Sequence, residues 1–241
     1  MQGKSQDLEL LLASLVQPDK RQIRKAVDAL IALAPQQTDL ANRLEALLSS
    51  AAEENRWPIA YVLGTLSHPS SLCLEALLAA LDNNDPDIRW AITLLLGRVG
   101  KSNPLLVERL LDLGHNGTAQ QRRMVIYCLR EMDPSAEVFW RAVQQAVHDA
   151  EPLVRVAAVT SVKMSPVPER ESLDLLMGAL HWDPDIRVQC AAAIALAYLR
   201  DPADTIRAAL DEALHSNNLQ LQKACRAALE LMKKKPVPPT R

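Results

Sequence analysis

The apolar residues of this chain follow a helical period that restarts at each of a series of regularly spaced arginines. The intervals between these arginines are 32, 33, 33, 33 and 32 residues. Counted from the arginine, positions −1, +3, +6, +7 and +10 are mostly apolar, which gives one stripe along a helix of about 3.6 residues per turn. The arginines are Arg24, Arg56, Arg89, Arg122, Arg155 and Arg187, and Gln222 takes the corresponding position in a seventh copy.

A further apolar segment precedes each of these helices, for example at 72–81 and 173–180. Each copy is therefore predicted to be a helical hairpin, and a fixed period of this length indicates hairpins that stack and bury one another's apolar stripes. We expect one continuous array over 1–235 and a disordered, proline-rich tail at 236–241. The predicted hairpins span about 5–35, 38–68, 70–101, 103–133, 135–165, 169–200 and 202–235.

Prolines mark the turns inside several hairpins. Asp85-Pro86 and Asp183-Pro184 come just before their arginines. We expect each aspartate to be the N-cap of its second helix, because its side chain accepts from free backbone N–H groups and proline suits the first helical position. Pro58 falls inside the aligned second helix of the second copy, so this helix either starts late or kinks.

The segments 85–91 and 183–189, which share Asp-Pro-Asp-Ile-Arg, resemble the short bacterial form of the HEAT-like repeat, as in the phycobilisome-lyase-like HEAT repeat family. The helix of this form ends near Leu-Gly, as at Leu96-Gly97. The resemblance covers nearly the whole chain and implies an all-α fold, a right-handed α-solenoid of about seven HEAT-like hairpins. It also implies that the six arginines form a structural Asp–Arg ladder between adjacent repeats. The signatures of tetratricopeptide and ankyrin repeats, which share the period, are absent from the sequence.

Composition narrows the classes of function. The 241 residues carry a formal net charge of -2, which disfavours a dedicated nucleic-acid binder because such proteins usually carry a basic excess. No apolar run approaches the roughly 18 residues that span a bilayer, and the N-terminal pattern is not that of a signal peptide. We therefore expect a cytoplasmic protein with no membrane partner. Without CxxC spacing, the cysteines are interpreted as reduced, mostly buried thiols. They are Cys73, Cys128, Cys190 and Cys225.

Candidate binding residues occur where the copies depart from their own consensus. In the HEAT-like family the second helices line the concave side, and positions +1, +4, +5 and +8 are expected to face it. Tryptophan occupies +1 in two successive copies, and Trp, Tyr and Arg are the residues enriched at binding hot spots. Because adjacent helices pack roughly 8–10 Å apart, we expect one patch, although the tryptophans alternatively only fill space between neighbouring helices. The candidate partner-binding residues are Trp57, Tyr61, Trp90, Arg123, Tyr127 and Arg130.

Patterns for catalysis and for metal binding are missing from the sequence. It contains no HExxH, no glycine-rich phosphate loop and no GxSxG. The iron-dependent hydroxylase branch of HEAT-like proteins uses His-Glu pairs, and none occurs here. Four histidines recur near the ends of first helices, where the helix dipole accounts for them. They are His115, His148, His181 and His215. We predict no catalytic residue, no metal and no cofactor.

The leading interpretation is a non-enzymatic scaffold or adaptor that binds a protein or peptide on its concave surface. Two alternatives stay open. A groove with Trp and Tyr is also suited to a tetrapyrrole, as in bilin lyases built from similar repeats. HEAT-like alkyl-base DNA glycosylases have about this length, although the net charge counts against them. The pattern sets no oligomeric state.

Overall fold

The computed structural model describes residues 2–66, 69–133, 137–163, 169–199 and 203–234. Across these ranges the chain is all-α, without a strand. The predicted disordered tail at 236–241 lies outside the described residues. The helices are α1 (Gln2–Ser14), α2 (Lys20–Leu33), α3 (Leu40–Ser50), α4 (Arg56–Leu66), α5 (Ser71–Ala79), α6 (Pro86–Gly100), α7 (Pro104–Asn116), α8 (Ala119–Met132), α9 (Glu137–Ala146), α10 (Pro152–Val162), α11 (Glu169–Trp182), α12 (Ile186–Leu196), α13 (Ala203–Ala213) and α14 (Leu219–Lys234).

These helices pair as seven hairpins, with the odd-numbered helix first and the even-numbered helix second. Within each unit, second helices of consecutive hairpins pack on one another, as α2 packs on α4 and α10 packs on α12. The apolar stripe is buried where the repeat predicts it, since Ile88, Ile92 and Leu96 are at most 8% exposed. The all-α solenoid of stacked hairpins is therefore confirmed.

The chain divides into two compact units, Met1–Leu110 and Leu111–Arg241. The boundary falls within α7. In the first unit the second helices are α2, α4 and α6, and in the second unit they are α8, α10, α12 and α14.

The turns follow the predicted chemistry with one correction. Asp85 caps α6, and its carboxylate accepts a hydrogen bond from the Asp87 backbone N–H at 2.9 Å. In the sixth hairpin the prediction of Asp183 as the cap is wrong: Asp185 caps α12 instead. The carboxylate of Asp183 is engaged by an arginine of the preceding hairpin, so the helix starts two residues later. Pro58 is the third residue of α4, where its missing N–H leaves no intrahelical bond unmade.

The recurring arginines share a local contact within their own hairpins. In four hairpins the guanidinium donates to a backbone carbonyl five or six residues earlier, in the loop that joins the two helices. Gln222 makes the equivalent bond to the Ser216 carbonyl at 2.8 Å, which explains why glutamine suffices in the seventh copy. Such carbonyls would otherwise lack a partner in the turn. The arginine–carbonyl pairs are Arg56–Ala51, Arg89–Asn83, Arg122–Gly117 and Arg155–Asp149.

Two of these arginines also pair with an aspartate of the following hairpin. Arg122 donates to both carboxylate oxygens of Asp149 at 2.7 and 2.8 Å, and Arg155 engages Asp183 at the same distances. The Arg122 guanidinium holds the pKa of Asp149 below its usual value. Arg187 instead pairs with Asp185 of its own hairpin at 2.8 Å. The arginine position therefore joins hairpins in some copies and stabilises a single hairpin in others.

Candidate functional site

A groove lies between the second helices of the first unit. It has a volume of about 490 Å³, and we call it the first-unit groove. Trp57 and Tyr61, one turn apart on α4, form its floor, because residues four positions apart share one face of a helix. α2 and α6 supply the two walls. The complete lining is Lys20, Ile23, Arg24, Val27, Asp28, Trp57, Tyr61, Asp87, Ile88 and Ala91.

An ion-pair cluster closes one end of this groove. Lys20, at the start of α2, pairs with Asp85 and with Asp87 at the start of α6, with 3.1 Å between Lys20 Nζ and Asp87 Oδ2. The cluster connects the first hairpin to the third and passes over the hairpin between them. The hydrogen bond from Lys20 is the main reason that the pKa of Asp85 lies below its ordinary value. The Lys20 side chain is still 49% exposed with both carboxylates in contact with its ammonium group.

Trp57 is half-buried and borders two cavities. Besides the first-unit groove, it lines a cavity of about 600 Å³ at the edge of the array, where Glu53, Glu54 and Glu75 make the rim acidic. The indole therefore borders open space on two sides. Trp90, at the same repeat position on α6, is 41% exposed, and Leu94 one turn later is 45% exposed.

One of the expected groove-facing positions is in fact buried. Position +4 is occupied by Ala60, Thr93, Ile126 and Val159 in hairpins two to five, and each of these is at most 3% exposed. Our expectation that +4 faces the groove is wrong for these hairpins. A second helix packs against neighbouring second helices of its own unit as well as against first helices, so its buried face is wider than the single stripe of an isolated hairpin. Positions +1 and +5 retain the partly exposed residues.

The other three candidate residues lie on α8 in the second unit. The guanidinium carbons of Arg123 and Arg130 stand 5.9 and 5.0 Å from the ring centroid of Tyr127, within the range of cation–π attraction. Arg130 also pairs with Glu131 at 2.8 Å. The Nε atom of Arg123 is buried without a hydrogen-bond partner in the described part of the chain. Of the six candidates that the sequence placed in one patch, Trp57, Tyr61 and Trp90 belong to the first unit and these three to the second, and the single patch stays a prediction.

The described residues offer little for covalent or metal chemistry. They contain no group of three or more His, Cys, Asp or Glu side chains that could hold a metal ion. All four cysteines are free, and burial raises the pKa of the Cys73 thiol to about 12 and that of Cys225 to about 11. A thiol with so high a pKa is a poor nucleophile at neutral pH. Among the described helices, none combines the length and apolar character required to cross a membrane.

Sequence reasoning missed the walls and the closed end of the first-unit groove. Ile23 and Ile88 belong to the predicted core stripe, and Arg24 was expected to be a ladder residue, yet Arg24 is exposed and lines the groove. Asp87 lies 67 residues from Lys20, and a single sequence carries no signal for a contact at that separation. The charge of Lys20 in a terminal repeat is the only hint that the sequence offers.

Residues 40–130 match the family described as HEAT repeats. The structure of E. coli YibA is similar over 94% of this chain and 92% of that chain, with a TM-score of 0.58 at 15% identity. The chain has the fold of a HEAT-like repeat protein. At this identity the similarity to YibA concerns the fold alone.

Other similar structures superpose less well. Human deoxyhypusine hydroxylase in complex with glycerol aligns over 95% of this chain and 97% of that chain, with 15% identity and a TM-score of 0.39. A designed armadillo repeat protein aligns over 93% of this chain and 99% of that chain, with 16% identity and a TM-score of 0.39. No curated protein sequence matches the chain.

Proposed function

We propose that this HEAT-like repeat protein is a non-enzymatic, cytoplasmic scaffold or adaptor that binds a protein or peptide on the face made by its second helices. The observation that carries the proposal is the first-unit groove, whose aromatic floor is open while its walls are formed by side chains of two other hairpins. Trp and Tyr contribute a large apolar area together with a polar group, which is why they are enriched at binding hot spots.

The lining favours a polypeptide over a small metabolite. Apolar side chains on both walls suit the side chains of an inserted segment, while Arg24 and Asp28 on α2 offer a donor and an acceptor for its backbone or its polar groups. A binding segment would run across three hairpins and bury residues against each of them. On α8 of the second unit, the Arg123 guanidinium beside Tyr127 would attract an acidic side chain, while Arg130 is already paired with Glu131.

The test is an affinity capture from the native host with quantitative mass spectrometry. The wild type is compared with Trp57→Ala and with the double variant Trp57→Ala/Trp90→Ala. We expect recovery of one stoichiometric protein to fall at least about tenfold in both variants, since truncating a hot-spot aromatic residue costs more than about 1.4 kcal/mol of binding. The thermal unfolding transition should stay cooperative, with little loss of melting temperature.

Tyr198→Ala is the matched control, because Tyr198 is an aromatic residue of the second unit that is 45% exposed. It should capture the partner as well as the wild type does. A large drop in the melting temperature of Trp57→Ala with unchanged capture would assign the indole to packing and refute the proposal. Retention of the protein on heparin at about 150 mM salt would point to nucleic acid instead.

A further inference from the structure

A second groove, of about 700 Å³, lies within the second unit. We call it the second-unit groove; it is bordered by the end of α9, by α11 and by the starts of α10 and α12. The two first helices α9 and α11 are held side by side, since Trp140 Nε1 donates to Glu171 Oε2 at 3.0 Å. At the end of α11 the Trp182 side chain is 84% exposed, more than any other large apolar residue among those described. An indole left this open above a groove is available to a ligand.

One helical turn before Trp182, Gly178 leaves a notch in the wall of the groove. A Cβ atom added at Gly178 would meet no atom within 4 Å, so neither packing nor backbone geometry requires glycine there. Glycine is nevertheless the poorest non-proline residue for the middle of a helix. The cost to the helix is understandable if the open space receives part of a ligand.

A carboxylate stands at the other end of the notch. Asp174 is one further turn back on α11, so Asp174, Gly178 and Trp182 form a row about 12 Å long on one face of the helix. Asp174 is exposed, and no ion pair to it occurs in the parts of the chain that the structure describes. Asp149, Asp183 and Arg155 also line the groove. Arg122 binds Asp149 and Arg155 binds Asp183, so both of these carboxylates already have a partner. Of the three aspartates that line the groove, Asp174 is thus the one without an ion pair among the residues that the structure describes.

We propose that the second-unit groove binds an arginine or lysine side chain of a partner polypeptide. The alkyl stem lies in the notch at Gly178, and the cation lies between the Asp174 carboxylate and the face of the Trp182 indole. Arginine suits the site better than lysine, because its planar guanidinium stacks on an aromatic ring and pairs with a carboxylate in the same pose. This site is separate from the first-unit groove and does not depend on it.

The test uses two blocked pentapeptides, Ala-Gly-Arg-Gly-Ala and its twin with citrulline in place of arginine. Citrulline keeps the shape of the side chain and removes the charge. Binding is followed by NMR through the Trp182 indole N–H and the Gly178 amide. We expect saturable shifts of both signals with the arginine peptide, in the millimolar range, and binding at least about fivefold weaker with citrulline because the cation–π and ion-pair contributions are lost.

Three variants locate the site. Gly178→Leu should abolish binding by filling the notch, while the melting temperature is kept or raised. Asp174→Asn, a change at an exposed position, should weaken binding several-fold with the fold intact. Trp90→Ala, in the other unit, should bind as the wild type does. Equal binding of the arginine and citrulline peptides, wild-type binding by both Gly178→Leu and Asp174→Asn, or no shift at Trp182 would each overturn the proposal. None of these results would bear on the capture of a partner protein through the first-unit groove.

Discussion

At the scale of single residues, one repeat position carries three different roles. Arg24 is exposed and lines the first-unit groove, Arg155 is buried in an ion pair between hairpins, and Arg187 is exposed and pairs within its own hairpin. The residue type and its spacing are the same in all three cases. The three copies differ in the acidic side chain that lies beside the arginine. The effect of removing the arginine on stability therefore depends on the copy.

Arg155→Ala should be far more damaging than Arg187→Ala. The side chains of Arg155 and Asp183 are 9% and 7% exposed, so the substitution leaves a buried carboxylate without its partner, at an expected cost of about 3 kcal/mol in the free energy of unfolding. The Arg187 side chain is 54% exposed, and its loss should change stability little, as is usual for surface ion pairs. Urea unfolding of both variants measures the difference.

The double variant Arg155→Met/Asp183→Leu serves as the control for this comparison. Because it removes both charges together, it should recover most of the lost stability. Equal destabilisation by Arg155→Ala and Arg187→Ala would show that burial of the ion pair does not determine its contribution to the free energy of unfolding.

Residue-level prediction from the sequence succeeded where repeat position decides the environment and failed where distant hairpins meet. The core positions Ile92 and Leu96 follow from the helical period alone. The contacts of Lys20 with Asp85 and Asp87 depend on how three hairpins stack, which no local pattern specifies. The exposure of Trp182 is likewise set by its place at the end of α11.

At the scale of elements, the period and the turn residues predicted an all-α array, which the structure has. The first helix expected at 72–81 is α5, which continues as a short 3-10 turn to Asp82. The misassigned cap at Asp183 has a clear cause, because the sequence offers aspartates at 183 and 185 and only the neighbouring Arg155 distinguishes them. The burial of position +4 on the second helices also depends on packing between hairpins, which the local sequence does not specify.

The contact between the fourth and fifth hairpins predicts a dependence of stability on pH. Arg122 lowers the pKa of Asp149 in the folded state, so this carboxylate stabilises the fold above its ordinary pKa. That contribution is lost as the pH falls below about 4 and through the lowered folded value. In Asp149→Asn, urea midpoints measured between pH 5 and pH 3 should therefore fall less steeply than those of the wild type.

Glu137→Gln is a suitable control for the pH series, because Glu137 forms an ion pair with Arg141 at the surface. The Glu137 side chain is 76% exposed and the Arg141 side chain is 73% exposed. Its pH profile should match that of the wild type. Identical slopes for the wild type and Asp149→Asn would mean that this ion pair does not couple the two hairpins energetically.

At the scale of the whole molecule, the chain is a HEAT-like array whose two units each contain a groove of a different kind. The first-unit groove lies among second helices and has an aromatic floor, whereas the second-unit groove lies beside a first helix and has a carboxylate and an open indole. Stacked repeats allow this, because each hairpin needs only its neighbours for stability and can vary its remaining surface. The repeat pattern predicted the array, and departures from the pattern located part of the first groove.

The central claim is that the first-unit groove holds the protein's polypeptide partner. Hydrogen exchange of the protein, free and bound to its captured partner, tests this most directly. The account predicts slowed exchange at the amides of 20–28, 56–61 and 87–91, with no comparable change on α13. Slowed exchange confined to other helices, with these three segments unchanged, would contradict it.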